Sequence, residues 1–161
     1  MPVSGKVLVA DPDLCTGCRS CEMVCSLWHD EKCGPSYSRV QVAQWGEVRV
    51  NLPVVCQSCK DPSCEKACPT TARHRIELTG AVITDPLVCV GCKSCVYACP
   101  FGAPAVHPDN KRLMTCDLCD GDPECVKVCT TGALRYIDTG DIALKRKRGF
   151  GDHFARYWKR A

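Results

Sequence analysis

The chain has 161 residues and 17 cysteines, and at about 11 % of the composition cysteine exceeds the ~8–10 % level at which it must be part of the architecture. Leu, Ile, Val and Phe make up only about a fifth of the chain, close to the ~20 % associated with failure to fold, so aliphatic burial alone does not supply a core. The length excludes a large catalytic core with its own substrate pocket, and the formal charge of +3 is uneven: residues 143–161 carry seven basic residues against one acid, a net +6 that leaves −3 on residues 1–142.

In chain order, Lys6 to Ala10 reads as a strand ending at Asp11-Pro12. The first cysteine group, Cys15, Cys18, Cys21 and Cys25, follows as C-x2-C-x2-C-x3-C, with a short helix predicted over Glu22 to Cys25. Cys33 stands alone in Glu31-Lys32-Cys33-Gly34-Pro35 and reads as a spare loop thiol. Val40-Gln41-Val42 and Val48-Arg49-Val50 alternate around a turn at Trp45-Gly46. The second group, Cys56, Cys59, Cys64 and Cys68, widens the middle gap to four residues and predicts a helix over Glu65 to Cys68. Ile76 to Ile83 folds back at Thr79-Gly80. The third group, Cys89, Cys92, Cys95 and Cys99, repeats the first spacing, with a helix over Val96 to Cys99. The fourth, Cys116, Cys119, Cys125 and Cys129, has a middle gap of five residues and a helix over Val126 to Cys129. Leu134 to Ile142 is expected to turn back at Thr139-Gly140.

A loop with a thiolate at every third residue wraps three corners of one iron-sulfur cube, and the cysteine after the x3 gap is left to bind a second cube. Four such groups supply sixteen ligands, enough for four 4Fe-4S clusters. Zinc takes C-x2-C pairs two at a time and would waste a thiolate in groups one and three. No C-x-x-C pair is followed by the histidine that c-type haem needs. A Rieske centre needs paired histidines, and His29, His74, His107 and His153 all lie outside the groups and read as structural. Backbone amides at Gly17 and Gly91 are expected as donors to sulfur, because glycine permits close approach.

Groups two and three both end in Cys-Pro, whereas groups one and four end in Cys-Ser and Cys-Thr. That likeness pairs two with three and one with four, as two interleaved bi-cluster lobes in an α+β, ferredoxin-like layout of short hairpins and single helical turns. The expected division is residues 1–52 with 104–142 as the outer lobe, 53–103 as the inner lobe and 143–161 as a tail. In the tail, Phe150, Phe154, Tyr157 and Trp158 recur at helical spacing beside the basic residues. Docking to a partner protein is the leading reading of this segment, ahead of packing on the chain's own body and of nucleic-acid or membrane-surface binding.

No apolar run approaches the ~18 residues of a membrane span, and Met1 to Lys6 has neither a secretory core nor a twin-arginine signal. A reducing cytoplasm is therefore expected, where an odd count of cysteines reads as metal-binding. There are no paired carboxylates, phosphate loop or activated nucleophile, so the chain is expected to conduct electrons and not to be an enzyme by itself.

The residues resemble a known family. Cys-Thr-Gly-Cys-Arg-Ser-Cys-Glu in group one, Pro-Val-Val-Cys-Gln-Ser-Cys from Pro53, and Met-Thr-Cys-Asp-Leu-Cys from Met114 are similar to the four-cluster electron-transfer subunits of molybdenum and tungsten pterin enzymes such as dimethyl sulfoxide reductase and formate dehydrogenase. Cys25-Ser-Leu-Trp-His29 with Pro35-Ser-Tyr-Ser-Arg39 resembles the small soluble subunit beside tungsten aldehyde oxidoreductases. The resemblance implies a crossed wiring: Cys15, Cys18, Cys21 and Cys129 for one cube; Cys116, Cys119, Cys125 and Cys25 for its lobe-mate; Cys56, Cys59, Cys64 and Cys99 for the third; Cys89, Cys92, Cys95 and Cys68 for the fourth. It also implies a pterin catalytic subunit, an acceptor such as a flavin subunit, or further copies of the chain in a head-to-tail wire. The alternatives are a free-standing polyferredoxin shuttle and the iron-sulfur subunit of a formate dehydrogenase-type complex.

Overall fold

The computed structural model describes residues 5–47 and 50–140. The basic aromatic segment 143–161 lies outside the described residues, so the expectations placed on it are not addressed by the fold. The order is β1 (Lys6–Ala10), α1 (Ser20–Asp30), β2 (Gln41–Trp45), β3 (Val50–Val54), α2 (Ser63–Lys66), β4 (Arg73–Arg75), β5 (Val82–Thr84), α3 (Ser94–Ala98), β6 (Ala105–Val106), β7 (Leu113–Met114), α4 (Glu124–Lys127) and β8 (Leu134–Asp138). This is a small α+β arrangement of short helices and two-stranded antiparallel ribbons, as the alternation of hairpin and cysteine group predicts.

Three ribbons join neighbours in sequence, β2 with β3, β4 with β5 and β6 with β7. The fourth joins the ends of the described chain: β1 pairs with β8 from Lys6 opposite Asp138 to Ala10 opposite Leu134. The strand expected from Leu134 thus finds its partner in β1, and the return arm expected after Thr139-Gly140 lies outside the described residues. Leu8 and Leu134 are 3 % and 2 % exposed, and pairing these two strands puts both into one core, a gain that a local turn does not offer. The β6–β7 ribbon has no counterpart among the predicted strands, since its strands are only two residues each.

The helices begin near the predicted x3 segments, but the first is three turns long, not one. Group one is followed by Ser26, where groups two and three have Pro69 and Pro100. A proline lacks the N–H that the next turn requires, and it disfavours helical backbone at the cysteine before it. The absence of proline permits α1 to run on to Asp30, although Thr130 after group four leaves α4 at one turn; α1 ends at Glu31 in left-handed backbone (φ 51°), its N–H donating to the carbonyl of Leu27. Ser26 is fully buried, its hydroxyl donating to Met23 O at 2.9 Å and accepting from the N–H of Gly34 at 3.2 Å.

The main apolar cluster joins Leu8, Val40, Val55, Ala81, Leu118 and Leu134 to the buried thiols of Cys25 and Cys125. Each fully buried Val or Leu contributes roughly 1.5–3 kcal/mol, so this handful is a thin core in which cysteine takes aliphatic positions. α1 packs against α4, and α2 against α3.

Candidate iron-sulfur centres

No disulfide joins any of the seventeen cysteines. Two cavities each gather four of them from both ends of the described chain. Cys15, Cys18 and Cys21 share one cavity with Cys129, closed by Val42, Pro53 and Leu134. Cys116, Cys119 and Cys125 share the other with Cys25, closed by Leu8, Val40 and Leu118. The cysteine after each x3 gap thus turns to the opposite group, because β1–β8 pairing and α1–α4 packing place the two groups side by side.

The exchanged pair is also held alike. The backbone N–H of Arg39 donates to Cys25 Sγ at 3.3 Å, and that of Leu134 to Cys129 Sγ at 3.3 Å. Gly17 is required by its turn: its φ of 73° suits glycine, and a Cβ there would collide with the side chains of Gln44 and Asn51.

At the inner groups, Cys59 lies near Cys64 and Cys99, and Cys92 near Cys68. Cys95 lies within reach of Cys64 and Cys89. α2–α3 packing brings these segments together.

Burial pushes the thiols of Cys21 and Cys125 up to about 12 and that of Cys116 well above its ordinary value. It also raises Cys56, Cys59, Cys95 and Cys119. Hydrogen bonds act the other way at the surface: the amide and hydroxyl of Ser20 hold Cys18 down, and the hydroxyl and amide of Ser94 hold Cys92 down. At Cys68 burial works upward, and the amides of Arg73 and Thr70 with the Thr70 hydroxyl outweigh it. Buried thiols keep their protons until a cation displaces them, so convergent free thiols in apolar cavities with N–H donors fit a cluster whose iron supplies the positive charge.

Three residues beside the thiols were not singled out by spacing. Glu22 is 2 % exposed, and its Oε1 accepts from the N–H of Val42 at 2.6 Å. His29 Nε2 stands 3.4 Å from Asp117 Oδ1 and 3.9 Å from Cys119 Sγ, and burial holds its pKa below the usual imidazole value. Arg73 on β4 is 2 % exposed, with Nη2 at 3.5 Å from Cys64 Sγ. A glutamate within a helix and an arginine in Arg-His-Arg read as surface residues, and no sequence signal marks them as buried.

A model of the 4Fe-4S dicluster domain matches residues 48–139, and one of a 4Fe-4S binding domain matches residues 12–28. The chain is 40 % identical over 122 residues to the polyferredoxin-like subunit of aliphatic sulfonate oxidoreductase from Pyrococcus furiosus, covering 76 % of this chain and 70 % of that one. It is 34 % identical over 158 residues to the B subunit of anaerobic dimethyl sulfoxide reductase from Escherichia coli, covering 86 % and 75 %. Formate hydrogenlyase subunit 2 of Escherichia coli is 33 % identical over 180 residues, covering 89 % and 87 %. Among solved structures, a component of the active site complex BamBC of benzoyl coenzyme A reductase superposes with a TM-score of 0.50 at 28 % identity, covering 82 % of this chain and 75 % of that one.

Proposed function

The chain belongs to the 4Fe-4S dicluster family, whose relatives here are iron-sulfur electron-transfer subunits of oxidoreductases, and from that premise we propose a four-cluster relay. Cys15, Cys18, Cys21 and Cys129 hold one cluster; Cys25, Cys116, Cys119 and Cys125 the second; Cys56, Cys59, Cys64 and Cys99 the third; Cys68, Cys89, Cys92 and Cys95 the fourth. The observation that carries this reading is the pair of cavities in which three thiols of one group meet a single thiol of another. Residues 1–52 with 104–142 then form one bi-cluster lobe, and 53–103 the other.

When bound, each 4Fe-4S cluster supplies one-electron redox chemistry. The chain's own residues position the sulfurs, exclude water with Leu8, Val40, Leu118 and Leu134, and donate N–H groups to sulfur. The partner in this reading is a tungsten or molybdenum pterin catalytic subunit, of the aldehyde oxidoreductase kind by the resemblance at residues 25–39. A flavin subunit or another copy of the chain accepts the electrons. The setting is the cytoplasm, a reading supported by the cysteine usage. Among the described residues no helix is long and apolar enough to cross a membrane. A free-standing shuttle is the second reading, favoured by the polyferredoxin-like description of the Pyrococcus furiosus relative.

Anaerobic purification from the native source with metal analysis tests the choice. The relay predicts about 16 iron atoms per chain and a co-purifying large subunit with tungsten or molybdenum. An iron-loaded monomer without that subunit supports the shuttle, and a colourless zinc protein overturns both.

A further inference from the structure

Arg73 is the largest fully buried side chain among the described residues. An arginine is almost never enclosed without a carboxylate, because an unpaired cation in the interior costs several kcal/mol. Yet Arg73 has no ion-pair partner among the described residues. Its Nη1 donates to Thr84 Oγ1 at 2.9 Å and its Nη2 to Val82 O at 3.4 Å, Nε has no acceptor, and the remaining contact is Cys64 Sγ at 3.5 Å. The anion that balances it is missing from the side chains and present in the chemistry of the thiolates beside it.

Surrounding charge differs between the two halves. Arg73 touches the Cys64 thiol, and Arg75 donates through Nη2 to the carbonyl of Ser58, between Cys56 and Cys59, at 3.2 Å. In the other half the place of Arg73, five residues after the last cysteine of its group, is taken by Leu134, and carboxylates lie beside the cysteines. Glu22 follows Cys21 and is shielded in part by Arg19, whose Nε is 3.7 Å away; Asp117 accepts from the N–H of Cys119 at 3.0 Å and faces His29. Gaining an electron makes a site more negative, so an adjacent cation raises its reduction potential and an adjacent carboxylate lowers it.

We propose that Arg73 is the buried counter-ion of the inner pair of clusters and makes the inner pair easier to reduce than the outer pair, so that electrons run downhill from the outer sites to the inner ones. This rests on the four-cluster reading above and adds to it an order of potentials and a direction. Transfer moves one electron at a time from an outer site to an inner one and makes or breaks no bond.

The test is an anaerobic redox titration of the holoprotein followed by electron paramagnetic resonance. Cys59→Ser and Cys92→Ser assign the two inner signals, and Cys18→Ser and Cys119→Ser the two outer ones. The expected result is that the inner clusters take electrons first, that Arg73→Gln with full iron moves the inner midpoints to more negative values, and that Arg73→Lys restores most of the shift. Inner midpoints below the outer ones, no shift in Arg73→Gln at full iron, or an equal shift of all four clusters overturns the assignment. If Arg73→Gln fails to load the inner clusters, loading by Arg73→Lys supports a requirement for charge, and failure of Arg73→Lys as well overturns it in favour of shape. Wild-type protein with fewer than four 4Fe-4S signals would instead sink the four-cluster reading, an outcome separate from the fate of Arg73.

Discussion

His107 Nε2 lies 2.9 Å from Oδ1 of Asp30, joining the end of α1 to the loop after β6 across 77 positions of sequence. The other carboxylate oxygen of Asp30 accepts from Arg39 Nη1 at 3.2 Å, so one acid satisfies two partly buried partners. Arg39 is also the residue whose amide reaches the Cys25 sulfur. The contact therefore links the packing of a long-range loop to the position of a candidate ligand.

Asp30→Ala is expected to leave His107 and Arg39 without an acceptor, at a cost of about 1–3 kcal/mol. In a domain of this size that corresponds to a fall in Tm of roughly 2–12 °C, readable by anaerobic thermal denaturation of the iron-loaded protein. A Tm unchanged from wild type would show that water replaces the carboxylate at no cost.

Glu22 distinguishes charge from hydrogen bonding. Glu22→Gln keeps an acceptor for the Val42 N–H, whereas Glu22→Ala strands that buried amide, which the wild type satisfies at 2.6 Å. We expect the alanine variant to lose about 1–3 kcal/mol and the glutamine variant about half of that or less, measured by denaturant unfolding. Equal losses would assign the effect to the Arg19 pairing.

Cys125→Ala removes one of the four thiols of the second cavity. The expected product has about 12 iron atoms per chain in place of about 16, with the remaining three cluster signals intact. Iron analysis with electron paramagnetic resonance decides this, and retention of the full iron count excludes Cys125 as a ligand.

Stripping the iron with a chelator under anaerobic conditions should unfold most of the chain, because the aliphatic cluster is small and the candidate ligands tie distant segments together. Circular dichroism and limited proteolysis read the change. A protease-resistant, cooperatively melting apo-protein would show that side-chain packing suffices.

The exposed pair of Lys32 and Asp109 gives a pH signature. Its hydrogen bond to Asp109, joined by the carboxylate's charge, holds the Lys32 ammonium above its ordinary pKa. A raised folded value contributes stability that is present below the unfolded value of about 10.4 and is lost as pH rises through the folded one. The Tm gap between wild type and Lys32→Met should be small and flat between about pH 7 and pH 10, then close at higher pH, and it should shrink in high salt. A gap that grows on the alkaline side contradicts this ion pair.

The spacing of the cysteines by itself determined what the chain binds and which segments turn, since three thiolates at C-x2-C-x2-C can wrap only a small cube and Pro69 and Pro100 can end a helix without help from the rest of the fold. The α+β alternation was legible for the same reason, because hairpin and single-turn signals are local. What only the tertiary structure decided was long-range: that Leu134 to Asp138 pairs with Lys6 to Ala10, and that Glu22 and Arg73 turn inward. A charged side chain in a short element reads the same in water or in the core. Its burial is set by which distant segment covers it, and here that depends on how the first and fourth cysteine groups close on each other and the second on the third.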